Sequence, residues 1–112
     1  MSIKSRVNDG ILIVQVNEEI NIQTSQDLRK SLQKLVSAEQ NRVIVDLKNC
    51  DFIDSSGIGG LLSVQNLLKN IDGRLVLCSL QPRAMRVIQL TDLEEILEIT
   101  SDVEQARQRI LG

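Results

Sequence analysis

Three short apolar runs do most to limit what this chain can fold into. Residues 11–16 (ILIVQV), 42–47 (RVIVDL) and 74–78 (RLVLC) are close to continuous in aliphatic side chains. A half-exposed strand alternates apolar and polar residues, whereas a strand covered on both faces does not. These runs therefore predict central strands with packed layers above and below.

Helical spacing fills the gaps between them. Leu28, Leu32, Leu35 and Val36 recur on one face, and Lys30 and Lys34 fall on the wetter side. Thr24 can cap that helix, with Asp27 three residues on. Ile58, Leu61, Leu62, Val64, Leu67, Leu68 and Ile71 form a wider stripe that Asp72-Gly73 ends. Pro82 fits the first turn of a third helix carrying Met85 and Ile88. Ser101 and Glu104 read as a capping box opening a fourth, with Val103, Ala106 and Ile110 inward. At the start, Ile3, Ser5 and Val7 alternate with Lys4 and Arg6, and Asn8-Asp9-Gly10 supplies a hairpin turn. Residues 95–100 read as a short edge strand.

Strands alternating with helices imply an α/β fold. The expected architecture is a single mixed, mostly parallel sheet of about five strands with about four helices and an N-terminal antiparallel hairpin. With 112 residues, 42% of them hydrophobic, the chain is expected to form a single domain over residues 1–112.

Composition removes several functions. The chain has no histidine, which excludes Ser-His-Asp and Cys-His catalysis and most zinc chemistry. A formal charge of −2 and a single aromatic, Phe52, offer neither a phosphate-binding surface nor a stacking platform, so nucleic acid is not an expected partner. No apolar run reaches membrane-span length, and the first ten residues lack a signal-peptide core. A cytoplasmic location is expected. Cys50 and Cys78 are too few for a disulfide framework and read as reduced structural thiols. Asp46, Asp51 and Asp54 read as loop carboxylates more readily than as a cation site, and no cofactor is expected.

The stretch Asp51-Phe-Ile-Asp-Ser-Ser-Gly-Ile-Gly-Gly60 stands out. It follows the strand ending near Leu47, at the carboxyl end of a strand where sites gather in open α/β sheets. It also opens a helix, whose free N–H groups and partial positive charge favour an anion, including a phosphate carried by the chain itself. Asp54 or Ser55 can serve as N-cap, and two candidates followed by Ser56 exceed what a cap uses. Gly57, Gly59 and Gly60 each cost about 1 kcal/mol of helix stability relative to alanine. Either the helix packs closely on a strand, or bare backbone lets another protein reach Ser55 or Ser56. The spacing does not match a dinucleotide fingerprint, a phosphate-binding loop or a nucleophile elbow.

The run VIVDLKNCDFIDSSGIGGLL at residues 43–62 resembles the core of the bacterial anti-sigma factor antagonists, the STAS-domain family. The resemblance continues through GRLVLCSLQPRAMRVIQLTDLEEILEI at residues 73–99. It implies the STAS fold and a non-catalytic binding module. It implies a partner that is both serine protein kinase and anti-sigma factor. The unphosphorylated chain would bind that partner and release its target. Phosphorylation at Ser55, with Ser56 a secondary candidate, would abolish binding, and a serine phosphatase would reset the cycle. The implied contact face comprises Asn21 and Thr24 with Asp54, Ser55, Ser56, Gly57, Ile58, Gly59, Gly60 and Leu61, with Arg83 and Arg86 at its margin. Many phosphorylated members carry Gly-Glu-Leu/Ile-Asp before the first helix. Here the segment is Glu18-Glu-Ile-Asn21, which keeps an acceptor at Asn21 and loses its charge. The alternative is a non-switching scaffold or adaptor subunit of a regulatory or transport complex, in which Ser55 is a passive cap.

Overall fold

The computed structural model describes residues 2–112. Five strands form one sheet: β1 (Ile3–Asn8), β2 (Ile11–Val16), β3 (Arg42–Asp46), β4 (Arg74–Cys78) and β5 (Ile99–Thr100). Their spatial order is their chain order, β1-β2-β3-β4-β5. Four helices accompany them: α1 (Ile22–Leu35), α2 (Ser55–Lys69), α3 (Pro82–Leu90) and α4 (Val103–Leu111). The first two strands pair antiparallel, and β2 through β5 are parallel.

The hairpin follows from its turn. Asp9 and Gly10 have φ of 54° and 75°, and Asn8 pairs with Ile11 across them. A two-residue loop with both centres at positive φ matches the twist of the flanking strands.

The order also dictates the layers. Each crossover from β2 to β5 steps one strand in the same direction. Right-handed crossovers that all step one way place their helices on one face. Accordingly α1, α2 and α3 share a core with Leu12, Val14, Val16, Val43, Val45, Leu75 and Leu77. The opposite face is left to α4, which sets Ala106 with Val103 and Ile110 against Ile11, Ile13, Ile44, Val76 and Cys78. Burial on both faces is what the continuous apolar runs demanded.

Some local expectations shift. The first helix begins at Ile22 and is capped by Asn21, ahead of Thr24. Leu35 is partly exposed at its end, and Val7 is exposed on the edge strand. The last helix is capped by Asp102, whose Oδ1 accepts from the Gln105 N–H at 2.8 Å, in place of a Ser101–Glu104 box. The edge strand β5 has two residues, because Ile96 and Leu97 donate backwards to the Leu93 carbonyl at 3.1 and 3.0 Å.

Candidate functional site

Parallel strands start their outgoing connectors at the same end of the sheet. The connectors after β2 and β3 therefore lie side by side, and they are joined. Ile20 N–H donates to the Phe52 carbonyl at 3.0 Å, and Asp54 N–H donates to the Ile20 carbonyl at 3.0 Å. Ile20 and Ile53 thus form a parallel bridge outside the named strands. Asn49 Nδ2 adds a bond to Asn17 Oδ1 at 2.9 Å. Two segments remote in sequence become one platform, from which α1 and α2 both depart.

The two departures differ. At α1, Asn21 Oδ1 accepts from the N–H groups of Gln23 and Thr24, each at 3.0 Å. Thr24 Oγ1 accepts from Asn21 N–H at 2.8 Å and donates to the Glu19 carbonyl at 2.8 Å. This is a reciprocal capping box, so Thr24 is consumed in structure. At α2, Asp54 is the N-cap and its Oδ1 accepts from Gly57 N–H at 2.9 Å. The first main-chain bond of the helix runs from Ile58 N–H to the Asp54 carbonyl at 3.1 Å. The N–H groups of Ser55 and Ser56 precede that bond and are the helix's unpaired donors. Neither serine hydroxyl has a hydrogen-bond partner among the described residues. Ser55 is exposed and Ser56 is half-buried.

The three glycines separate into different roles. A Cβ on Gly57 would lie 2.6 Å from Ile20 Cγ2, 2.7 Å from Ile53 Cγ2 and 2.8 Å from the Ile20 oxygen. Gly57 is therefore fixed by the platform beneath it. At Gly60 a Cβ would lie 3.3 Å from Ser25 Cβ, so its bareness lets α1 and α2 approach closely. At Gly59 a Cβ would meet nothing within 4 Å, and the residue is exposed. No intramolecular contact explains Gly59.

Between the helices lies an open groove of about 220 Å³, lined by Ile22, Ser25, Arg29, Ser56, Gly59 and Ser63 among others. Ile22 is 66% exposed in the first turn of α1. The contact face read from sequence is therefore brought together only in part. Asn21, Asp54, Ser55, Ser56 and Gly59 reach one surface. Gly57, Ile58 and Leu61 are buried and support it from below. Ile22, Ser25, Arg29 and Ser63 were missed. The signal available for Ile22 was an isoleucine in a first helical turn, off the Leu28–Leu32 stripe.

Neighbouring groups brace the platform. Arg83, at the start of α3, places its guanidinium 5.1 Å from the Phe52 ring centroid. Gln81 Nε2 donates to the Lys48 carbonyl at 2.6 Å. Arg83 thus has a structural contact, whereas Arg86 is exposed. Asp46 is buried at the end of β3 and its Oδ1 accepts from Lys48 N–H at 3.1 Å. Among the described residues, no group of three His, Cys, Asp or Glu is placed to hold a metal ion. Both thiols are free and buried. Burial raises the Cys50 thiol above its ordinary value and pushes Cys78 up to about 11. A thiol so protonated is a poor nucleophile. No helix among the described residues is long and apolar enough to cross a membrane.

Comparison with known proteins agrees with this geometry. BtrV of Bordetella bronchiseptica, named as a candidate anti-sigma factor antagonist, is 31% identical over 98 residues, which is 88% of this chain and 84% of that protein. The anti-sigma F factor antagonist of Paenibacillus polymyxa is 28% identical over 100 residues, covering 88% and 86%. The Bacillus cell fate determinant SpoIIAA shares the fold. Its unphosphorylated form matches with a TM-score of 0.79 at 21% identity, covering 99% of this chain and 97% of that one. Its phosphorylated form matches with a TM-score of 0.70 at 20% identity, covering 97% and 99%. The family model described as STAS domain matches residues 2–106, and with the fold and the run at residues 43–62 this establishes that the chain belongs to the STAS domain family.

Proposed function

We propose that residues 1–112 act as one cytoplasmic, non-catalytic domain, an anti-sigma factor antagonist that binds a serine kinase/anti-sigma factor when unphosphorylated. Phosphorylation at Ser55 abolishes that binding, and a serine phosphatase restores it. One observation carries the reading: Ser55 stands exposed at a helix start whose cap is Asp54, so its hydroxyl is not needed for the fold. The relatives named as antagonists, and the existence of SpoIIAA in both phosphorylation states, support it.

The physical consequences are direct. A phosphate adds about −1.5 to −2 charge at pH 7, and the unpaired N–H groups of α2 accommodate it within the domain. Against a partner surface closed over Ser55 and Gly59, the same group introduces bulk and an unpaired charge. A loss of about 4 kcal/mol corresponds to roughly thousandfold weaker binding. The fold stays and the affinity changes.

Asn21 favours a second reading. Its side-chain oxygen is taken up in capping α1, and the residue carries no charge where many phosphorylated members of the family carry an Asp. A non-switching adaptor subunit of a regulatory or transport complex would tolerate that. Intact mass of the protein from its own host, before and after phosphatase treatment, separates the two. A removable phosphate mapped to Ser55 supports the switch. A chain unmodified under every growth condition, and resistant to its candidate kinases, moves the assignment to the adaptor.

A further inference from the structure

The connector from α3 to β5 lies at the end of the sheet opposite Ser55. It enters a parallel strand, whereas residues 47–54 leave one. Residues 91–98 carry Asp92, Glu94, Glu95 and Glu98 and no basic residue. Glu98 is engaged: Arg74 donates to it at 2.8 and 2.5 Å, and Arg109 stands 3.6 Å away. Glu94 and Glu95 are exposed, and neither meets a basic group among the described residues.

Apolar side chains sit among these acids. Ile96 is 54% exposed, and it lines an open groove of about 550 Å³ together with half-buried Met85 and Ile99, the glutamates and Arg109. The exposure of Ile96 is built in. Its N–H donates to the Leu93 carbonyl at 3.1 Å, and its own carbonyl accepts from Gln65 Nε2 at 3.0 Å. The backbone is tied on both sides while the side chain faces solvent. Gln65 Oε1, on the same tie, is buried without a partner. Beyond Ile99 the sheet ends, since β5 is its outer strand.

We propose that this groove is a second docking surface, for a basic amphipathic segment of a partner protein, and that it works independently of Ser55. Apolar side chains of the segment cover Met85, Ile96 and Ile99, and its Lys or Arg residues meet Glu94 and Glu95. Arg109 also lines the groove but is held 3.6 Å from Glu98, so the charges left for a partner are the carboxylates of Glu94 and Glu95 beside the apolar anchor, an arrangement that favours a basic segment. Its position at the far end of the sheet lets the domain hold one partner while it exchanges another at Ser55.

The probe is a capped peptide of about twelve residues, with leucine at helical spacing and lysine between, titrated into isotopically labelled full-length protein. Its counterpart has glutamate for every lysine. The expected result is saturable amide shifts confined to residues 85–99, absent with the acidic peptide. Binding should weaken about tenfold in the double variant Glu94→Lys, Glu95→Lys and persist in Ser55→Glu. Ile96→Ser provides a second check, since that exposed position does not threaten folding, and should also weaken binding. Shifts centred on residues 51–56, equal binding of the acidic peptide, or no saturable shift would overturn the proposal. So would concentration-dependent self-association through residues 85–99, which would make a second copy of the chain the occupant. Loss of the Ser55 switch alone would leave all of these readouts unchanged.

Discussion

The first turns of α1 and α2 leave the same platform side by side, yet one is closed and the other open. In α1, Asn21 and Thr24 satisfy each other and the helix start, so three N–H groups have side-chain acceptors. In α2, Asp54 satisfies Gly57 alone, and two serines keep their hydroxyls and N–H groups uncommitted. Polar groups that a fold does not use are what a partner or a modifying enzyme can use. The difference also divides the glycines: Gly57 belongs to the fold and Gly59 to the surface.

The strongest way to break this comparison is to occupy the open turn. Phosphorylated protein should bind its kinase partner about a thousandfold more weakly than unmodified protein, by calorimetry. Its amide spectrum should change only around residues 18–24 and 51–61. Shifts spread through the sheet would mean that α2's start is not a spare terminus.

Next in size is Gly57→Ala. Crowding against Ile20 and Ile53 should outweigh the gain in helix propensity and cost about 1–3 kcal/mol in urea unfolding. An unchanged midpoint would show that the platform yields. Asn21→Ala should follow, costing about 1 kcal/mol of stability, and should cost more than Asp54→Ala if α1 is the more fully capped turn. Gly59→Ala should go the other way. It should stabilise the chain by up to about 1 kcal/mol and at the same time weaken partner binding. A variant both more stable and equally well bound would remove Gly59 from the contact face.

The smallest effect lies at the other end of the sheet. Hydrogen bonding from Arg74 holds the Glu98 carboxyl below its ordinary value. A folded-state value below the unfolded one gives stability that is present above the unfolded value and lost as pH falls through the folded one. Both side chains are partly exposed, so the contribution is at most about 1 kcal/mol. Stability curves from pH 7 down to pH 3 should lose that increment in the native chain and lack it in Glu98→Gln.

The sequence was most legible where burial was complete. Continuous runs such as ILIVQV admit few readings, and the sheet and its helices follow from them. Legibility failed at the starts of α1 and α4, where the competing choices differ by a fraction of a kcal/mol, while Asp54 was one of the two caps read at α2 and Pro82 was read correctly at α3. Thr24 looked like a cap because it precedes the Leu28–Leu32 stripe. The true box is Asn21-x-x-Thr24, with threonine in the place usually held by Glu or Gln. Ser101 and Asp102 are adjacent capping residues, and the reading fell one residue short. Residues 95–100 have strand composition but fold mostly as turns, because bonds back to Leu93 are local and outcompete pairing at a sheet edge. The 51–60 run pointed to the serines that the structure leaves uncommitted at the start of α2. Ile20 was invisible in that run, because its role arises from a bridge between remote segments.

That bridge bears on how such a domain diversifies. Ile20 and Ile53 lock the segment before α1 alongside the segment before α2. Substitutions at residues 18–22 therefore remodel the surroundings of Ser55 while Asp54, Ser55 and Gly57 stay as they are. If Ser55 is the switch proposed above, its address can be rewritten without touching the phosphorylated residue, and related chains can share one phospho-chemistry while each answers to its own kinase.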